Sequence, residues 1–246
     1  MFAKARKVKA RLTSVSEIIA PPFPLSMPLE FRSSGRARRL SLRVDIARGR
    51  VILVAPRSVS RGQALDFLNR NEGWLRARLK QAPKSLPFAD DGIVPILGVP
   101  HRIKGDSTRL RGVVAKRDGV VIVPGGAEHL PRRLADFLKA EARREIGQRA
   151  AAKSAELGRP IAAVTLRDTR TRWGSCNAKG RIAFSWRLIL APEFVLDYVV
   201  AHEVAHLAEL NHGPRFWKLC AGLTNSDVKT ARAWLKRHGG ELHAYG

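Results

Sequence analysis

The run His202-Glu203-Val204-Ala205-His206 restricts this chain more than any other feature of its sequence. It lies in a stretch from Pro192 to about Leu210 whose apolar content predicts a helix, with Pro192 suited to the first turn. Residues four apart on a helix share a face one turn apart, so both imidazoles reach the same point in space. Neutral imidazole is a good zinc ligand, and a catalytic zinc typically takes three protein ligands and leaves a position open. Glu203, next to His202, can accept a proton from water at such a site. The fold must therefore bring a third ligand to this helix face.

His212 is the best candidate, six residues after His206 and just past the expected helix end. Asn211 tolerates a left-handed backbone and is expected to stop the helix and turn the chain back. Glu209, Asp227, Glu241 and His243 are rivals. Two histidines at this spacing can also be hydrogen-bonded core residues. The helical context, the third histidine in reach and the apolar flanks Val199, Val200 and Leu207 favour a metal site. His101, His129 and His238 have no metal-ligand spacing and are expected on the surface or in loops.

Around this helix the pattern reads as an α+β chain. Residues 1–30 resemble a basic, Pro-rich extension: Lys4, Arg6, Lys7, Lys9 and Arg11 come first, then Pro21, Pro22, Pro24 and Pro28 oppose regular structure. Residues 31–130 form a β-rich region with one helix. Leu40 to Ile46 alternate, Arg48-Gly49-Arg50 turns, and Val51–Val54 returns as the second arm of a hairpin. Ser60 with Gln63 forms a capping box for a helix whose apolar face is Leu65, Leu68, Trp74, Leu75 and Leu79. Ile93–Val99, Val113-Val114 and Val120–Val123 are further strands, and Pro124-Gly125-Gly126 marks a boundary.

Residues 131–246 then form a zincin-like domain with a short antiparallel sheet and an active-site helix. A long helix over 131–157 buries Leu134, Phe137, Leu138 and Ile146 and stops at Gly158. Strands are expected over 163–167 and 181–188, and helices over 214–223 and 226–238. Arg181–Leu188, a strand with alternating Ile182, Phe184 and Trp186, is a candidate edge for an extended peptide, or else a core strand.

Charge bears on partners. Lys and Arg number 45 against 21 Asp and Glu, a net +24. The excess suggests a polyanionic partner, nucleic acid before an acidic membrane surface, or simply a solubilising surface. It is unevenly spread: residues 192–246 hold six basic and six acidic side chains, so the excess sits outside the metal-binding stretch. Cys176 and Cys220 cannot form a disulfide framework or a four-cysteine zinc site. A reducing, cytoplasmic setting is expected, and no run is long and apolar enough to span a membrane. Cys176 is expected to be buried.

Four segments together resemble the YgjP-like family of bacterial zinc metallopeptidases, which is related to the SprT and WLM proteases. They are Arg170-Thr171-Arg172-Trp173-Gly174-Ser175-Cys176, Ser185-Trp186-Arg187-Leu188, His202 to Leu207, and Asn211-His212-Gly213-Pro214-Arg215-Phe216-Trp217. The resemblance covers about residues 33–242. It implies a zinc held by His202, His206 and His212, with Glu203 as catalytic base. SprT-type proteases carry their third ligand in a similar His-Gly-Pro-x-Phe segment, which favours His212 over its rivals. The zinc ribbon that often follows a SprT protease domain is missing, since Cys176 and Cys220 cannot supply it.

The expected function is zinc-dependent hydrolysis of peptide bonds in a protein or peptide substrate. Arg172, Trp173, Trp186 and Tyr198 are candidate substrate-binding residues. Two alternatives stay open: a DNA-associated protease recruited to protein–DNA adducts by its basic surface, and a non-enzymatic nucleic-acid-binding module with a structural zinc. The intact Glu203 argues against the last, because a structural site needs no general base.

Overall fold

The computed structural model describes residues 15–45, 49–80, 86–109 and 111–246. The basic run from Lys4 to Arg11, and Ile46 and Arg48 of the expected hairpin, lie outside the described residues. The chain divides into two compact units, Met1–Lys84 and Ser85–Gly246.

The first unit is a four-stranded sheet with two helices. Strands β1 (Val15–Ile19), β2 (Leu29–Ser34), β3 (Ser41–Asp45) and β4 (Arg50–Pro56) lie in the order β1-β2-β4-β3. The expected hairpin is present: β3 and β4 pair antiparallel, with Leu42 opposite Leu53. The Pro-rich stretch departs from expectation. Its prolines fall between β1 and β2, which pair antiparallel, so Ile19, Leu29 and Phe31 join the core. A proline costs a sheet nothing in a connection, where no ladder needs its missing N–H.

Helix α1 (Arg61–Arg70) starts at the expected capping box: Ser60 Oγ accepts from the Gln63 N–H, and Gln63 Oε1 from the Ser60 N–H. The pattern read as one helix breaks at Asn71, and α2 (Glu72–Lys80) follows. Leu68 and Leu75 are buried, whereas Trp74 is 49% exposed. Glu30 is buried between Ser16, Arg32 and Arg50, and their hydrogen bonds and charge hold its carboxyl down at about 2.

The second unit carries the histidines. Strands β5 (Ile93–Ile96), β6 (Val99–Asp106), β7 (Ala115–Arg117) and β8 (Val120–Pro124) form a sheet in the order β5-β6-β8-β7. Val113-Val114 is not a strand; Val113 is 88% exposed, and pairing with β8 begins at Ala115. His101, expected on the surface, is buried in β6, with Nδ1 against the Val99 carbonyl. Helix α3 (Leu130–Leu157) ends on a left-handed Gly158. It buries Leu134, Leu138 and Ile146 in one core with Ile103, Val121 and Val123, and only half-buries Phe137. The Pro124-Gly125-Gly126 turn thus lies inside this unit.

A three-stranded sheet follows: β9 (Ala163–Arg167), β10 (Gly174–Cys176) and β11 (Arg181–Ser185), in the order β10-β11-β9. It is mixed rather than antiparallel, because β9 pairs parallel with β11. The strand expected to reach Leu188 ends at Ser185; Trp186–Leu190 winds into a buried 3-10 turn. Three helices complete the unit: α4 (Glu193–Ala205), α5 (Pro214–Leu223) and α6 (Val228–His238).

Helix α4 is buried on nearly every side. Its setting is fixed by an internal ion pair, Lys153 Nζ to Asp197 Oδ1 at 2.7 Å. Asp197 also accepts from Thr224 Oγ1 at 2.8 Å and from the Asn225 N–H at 2.9 Å, while Lys153 donates to the Leu223 carbonyl. One cluster thus ties α3 and α4 to the link between α5 and α6. Burial works to raise the Asp197 carboxyl, but the bonds from Lys153, Thr224 and Asn225 outweigh it and hold it low. No helix among the described residues is long and apolar enough to cross a membrane.

Candidate metal centre

Helix α4 presents His202 at its last turn, and His206 is its C-terminal cap. The helix therefore stops earlier than the expected Leu210, and Asn211 is not among the residues with a left-handed backbone. What closes the helix is a tightened turn: the N–H groups of Leu207, Ala208 and Glu209 bond to the carbonyls of Val204, Ala205 and Ala205. Gly213 and Pro214 then open α5, and His212 lies just ahead of them.

The result is convergence. One nitrogen from each of His202, His206 and His212 lies within 4.8 Å of the others, and this is the group of three metal-ligand side chains found among the described residues. His202 Nε2 and His212 Nε2 are 3.0 Å apart. For ligands about 2.0–2.1 Å from a shared ion in tetrahedral array, a separation of about 3.3 Å is expected, so the spacing suits one ion. The expected rivals sit elsewhere. Asp227 caps α6, Glu241 faces His238, and His243 stacks on Trp173. Glu209 contributes only its main chain.

That main chain matters. His206 Nδ1 lies 2.9 Å from the Glu209 carbonyl, which can only accept, so Nδ1 carries the proton and Nε2 keeps its lone pair. Tyr198 Oη lies 3.3 Å from His202 Nδ1 and gives that ring a partner on its far side. Burial pushes His202 down to about 4, with a contribution from the other two histidines, and burial also lowers His212. Neutral imidazole is the form that binds metal.

Glu203, next to His202 on α4, packs under β10. It is buried, and burial raises its carboxyl to about 7, against the pull of the Arg172 cation. Gly174 makes this packing possible: a Cβ built there would overlap Glu203, coming within 2.6 Å of its Cδ. A cleft of about 290 Å³ lies between β10 and the ligands, lined by Gly174, Ser175, Cys176, His202, Glu203, His206 and His212. Cys176, expected to be buried, is half-buried and opens onto this cleft.

The expected peptide edge is corrected. Strand β11 has neighbours on both sides and cannot accept a further strand; β10 is the sheet edge beside Glu203. The N–H of Ser185 bonds to the Trp173 carbonyl and that of Asn177 to the Arg181 carbonyl, so residues 173, 175 and 177 face β11. Alternation turns the N–H and C=O groups of Gly174 and Cys176 outward.

The four candidate substrate-binding residues separate. Arg172 is exposed and acts on Glu203 through its charge. Tyr198 is buried and serves His202. Trp186 is a core residue, 4% exposed, and does not line the cleft. Trp173 stacks on His243 with centroids 5.0 Å apart, its ring close over Gly239. It anchors the loop to the C-terminal segment. Arg187 secures the other end of that loop by bonding Asp168 and the Leu242 and Tyr245 carbonyls. Gly174 and the Glu209 carbonyl escape sequence reasoning: the first sits in a segment read as a whole, and a carbonyl leaves no trace in residue type.

A family model described as YgjP-like, metallopeptidase domain, matches residues 38–238. Searches of curated proteins and of solved structures find no match.

Proposed function

Because the chain belongs to the YgjP-like metallopeptidase family, we propose that it is a zinc-dependent peptidase with His202, His206 and His212 as ligands and Glu203 as general base. The observation that carries this reading is the pairing of three converging imidazoles with a buried carboxyl on the adjacent helix position, both facing one cleft beside a free strand edge. The donor set suits zinc: three neutral nitrogens, two of them oriented by partners on their far side. When bound, zinc supplies the Lewis acidity that makes water a nucleophile near neutral pH and polarises a carbonyl.

The chain's own residues do the rest. An extended peptide adds to β10, its main chain meeting the outward groups of Gly174 and Cys176. This pairing lays a peptide bond across Glu203. The Glu203 carboxylate removes a proton from the attacking water, and the resulting carboxylic acid passes it to the leaving amine nitrogen. In the metal-free chain burial holds this carboxyl up at about 7, a site where it can carry a proton as well as accept one. Arg172 favours the ionised form of Glu203 through its charge, and its exposed guanidinium is available to a substrate carbonyl or carboxylate.

The test is metal analysis together with peptide cleavage. Purified protein is expected to hold one zinc per chain and to cut an unstructured protein substrate such as casein. Chelation should abolish cleavage and added zinc restore it, and His202→Ala and His212→Ala should lose both zinc and activity. Full zinc content in both histidine variants would reject the site.

A further inference from the structure

Beside the cleft lies a second pocket of about 480 Å³ that shares His206 and Leu210 with it. We propose that this pocket is the subsite that selects an acidic side chain of the peptide substrate; this rests on the peptidase reading above. Its apolar wall is built by Ile161, Leu207 and Leu210. Its polar rim is cationic: Arg159 comes from the α3–β9 connection and Lys179 from the β10–β11 turn, and no carboxylate lines it.

Neither cation has an ion-pair partner among the described residues, whereas several cations along α3 do. Arg144 is held by Glu141, Arg149 by Glu145 and Glu193, and Lys153 by Asp197. Two uncompensated cations at an apolar pocket match a carboxylate on a short aliphatic stem.

Both cations stand on fixed backbone. Asn177 Oδ1 accepts from the N–H groups of Lys179 and Arg181 at 2.9 and 3.1 Å, which sets the turn. Ser154 bonds to Arg159 twice, its carbonyl accepting from the Arg159 N–H and its Oγ donating to the Arg159 carbonyl. A peptide laid on β10 leaves the strand at Cys176, toward this turn. At about 3.3 Å per residue, the side chain entering the pocket belongs to a residue within about three places of the scissile bond, on one side only. Both cations are exposed, so the selection is moderate, about tenfold at low salt and largely lost near 1 M.

The experiment uses quenched fluorescent decapeptides that differ only in an Asp, Ala or Lys moved along the sequence. The wild type is expected to cleave the Asp peptide about tenfold faster than the Lys peptide in kcat/KM at one position, by the strength of two exposed charge pairs. Arg159→Glu with Lys179→Glu should reverse that order, and Arg159→Gln with Lys179→Gln should erase it. Arg132→Glu with Arg143→Glu makes the same charge change on the exposed side of α3 and should keep the wild-type order. Equal rates for Asp and Lys peptides in the wild type, or reversal by the α3 pair as well, would overturn the subsite. Should no peptide be cut, the peptidase reading fails on its own. The subsite is then read from anisotropy of the same peptides, labelled, on zinc-loaded protein. Tighter Asp binding that the Arg159/Lys179 reversal inverts supports it, and equal binding overturns it.

Discussion

Gly174 is packed so closely on Glu203 that a methyl group in its place would overlap the carboxyl group. The sheet edge and the base are therefore held against each other by the absence of a side chain. Gly174→Ala must displace either Glu203 or β10. Displacement of about 1 Å in such a site costs about hundredfold. A fall of at least that size in kcat/KM is expected, with zinc content unchanged, because the atoms that the added methyl meets first belong to Glu203 and not to a ligand; activity within a few-fold of wild type would show that the contact is dispensable.

The Tyr198 hydroxyl bears on the far nitrogen of His202. Tyr198→Phe removes that partner while preserving the ring, and the loss of such a supporting bond typically weakens metal binding about 10–100-fold. Competition with a zinc indicator should show a weakening in this range. Unchanged affinity would mean that the 3.3 Å contact does not orient the ring.

Glu203 also gives the metal-free chain a pH dependence. Its carboxyl rises from 4.5 to about 7 on folding, chiefly because it is buried. Below pH 4.5 it is protonated folded and unfolded alike, and there is no penalty. Between 4.5 and 7 the unfolded chain releases the proton and the folded chain keeps it, so stability drains away and the loss is complete above 7. Glu203→Gln should therefore stabilise the metal-free protein by up to about 3 kcal/mol at pH 8, and by nothing at pH 4. Denaturant titrations in chelator at the two pH values check both size and sign.

Arg172 draws Glu203 in the opposite direction. Removing its charge in Arg172→Gln leaves the ionised base less favoured, so the acid limb of the kcat/KM profile should move to higher pH. A profile that drops in height without moving would assign Arg172 to the substrate alone.

The Lys153–Asp197 pair, both partners under 10% exposed in their side chains, anchors the ligand helix. Asp197→Asn would leave a buried ammonium without a counter-charge, a change that commonly costs about 3–5 kcal/mol. A large fall in the unfolding midpoint is expected, and a further replacement of Lys153 by Met should recover much of it.

How much of this was legible beforehand differs from residue to residue. His202 and His206 follow from a four-residue spacing on a helix, and Ser60 with Gln63 from a capping box, because both signals are local. The edge strand could not be read that way. Ile182, Phe184 and Trp186 alternate as a half-buried edge would, but which strand stands outermost depends on pairings with residues 163–167 and 174–176. A three-residue strand such as β10 has too few side chains to show a period at all. The prolines from Pro21 to Pro28 misled for a related reason: they exclude a ladder only where they sit, and two strands flank them. Trp186 reads as an aromatic near a site and proves to be core, since burial is a property of the whole packing.

Glu203→Gln separates binding from chemistry most directly. It keeps the shape of the side chain, leaves the three imidazoles untouched and removes only the capacity to accept a proton. The measurement is zinc per chain and cleavage rate on one substrate, wild type beside variant. One zinc in each, with cleavage reduced by at least about a hundredfold in the variant, is the expected result for loss of a general base at such a site. Retained cleavage at full zinc occupancy would contradict the assignment of Glu203 as the base, and with it the peptidase mechanism built on this helix.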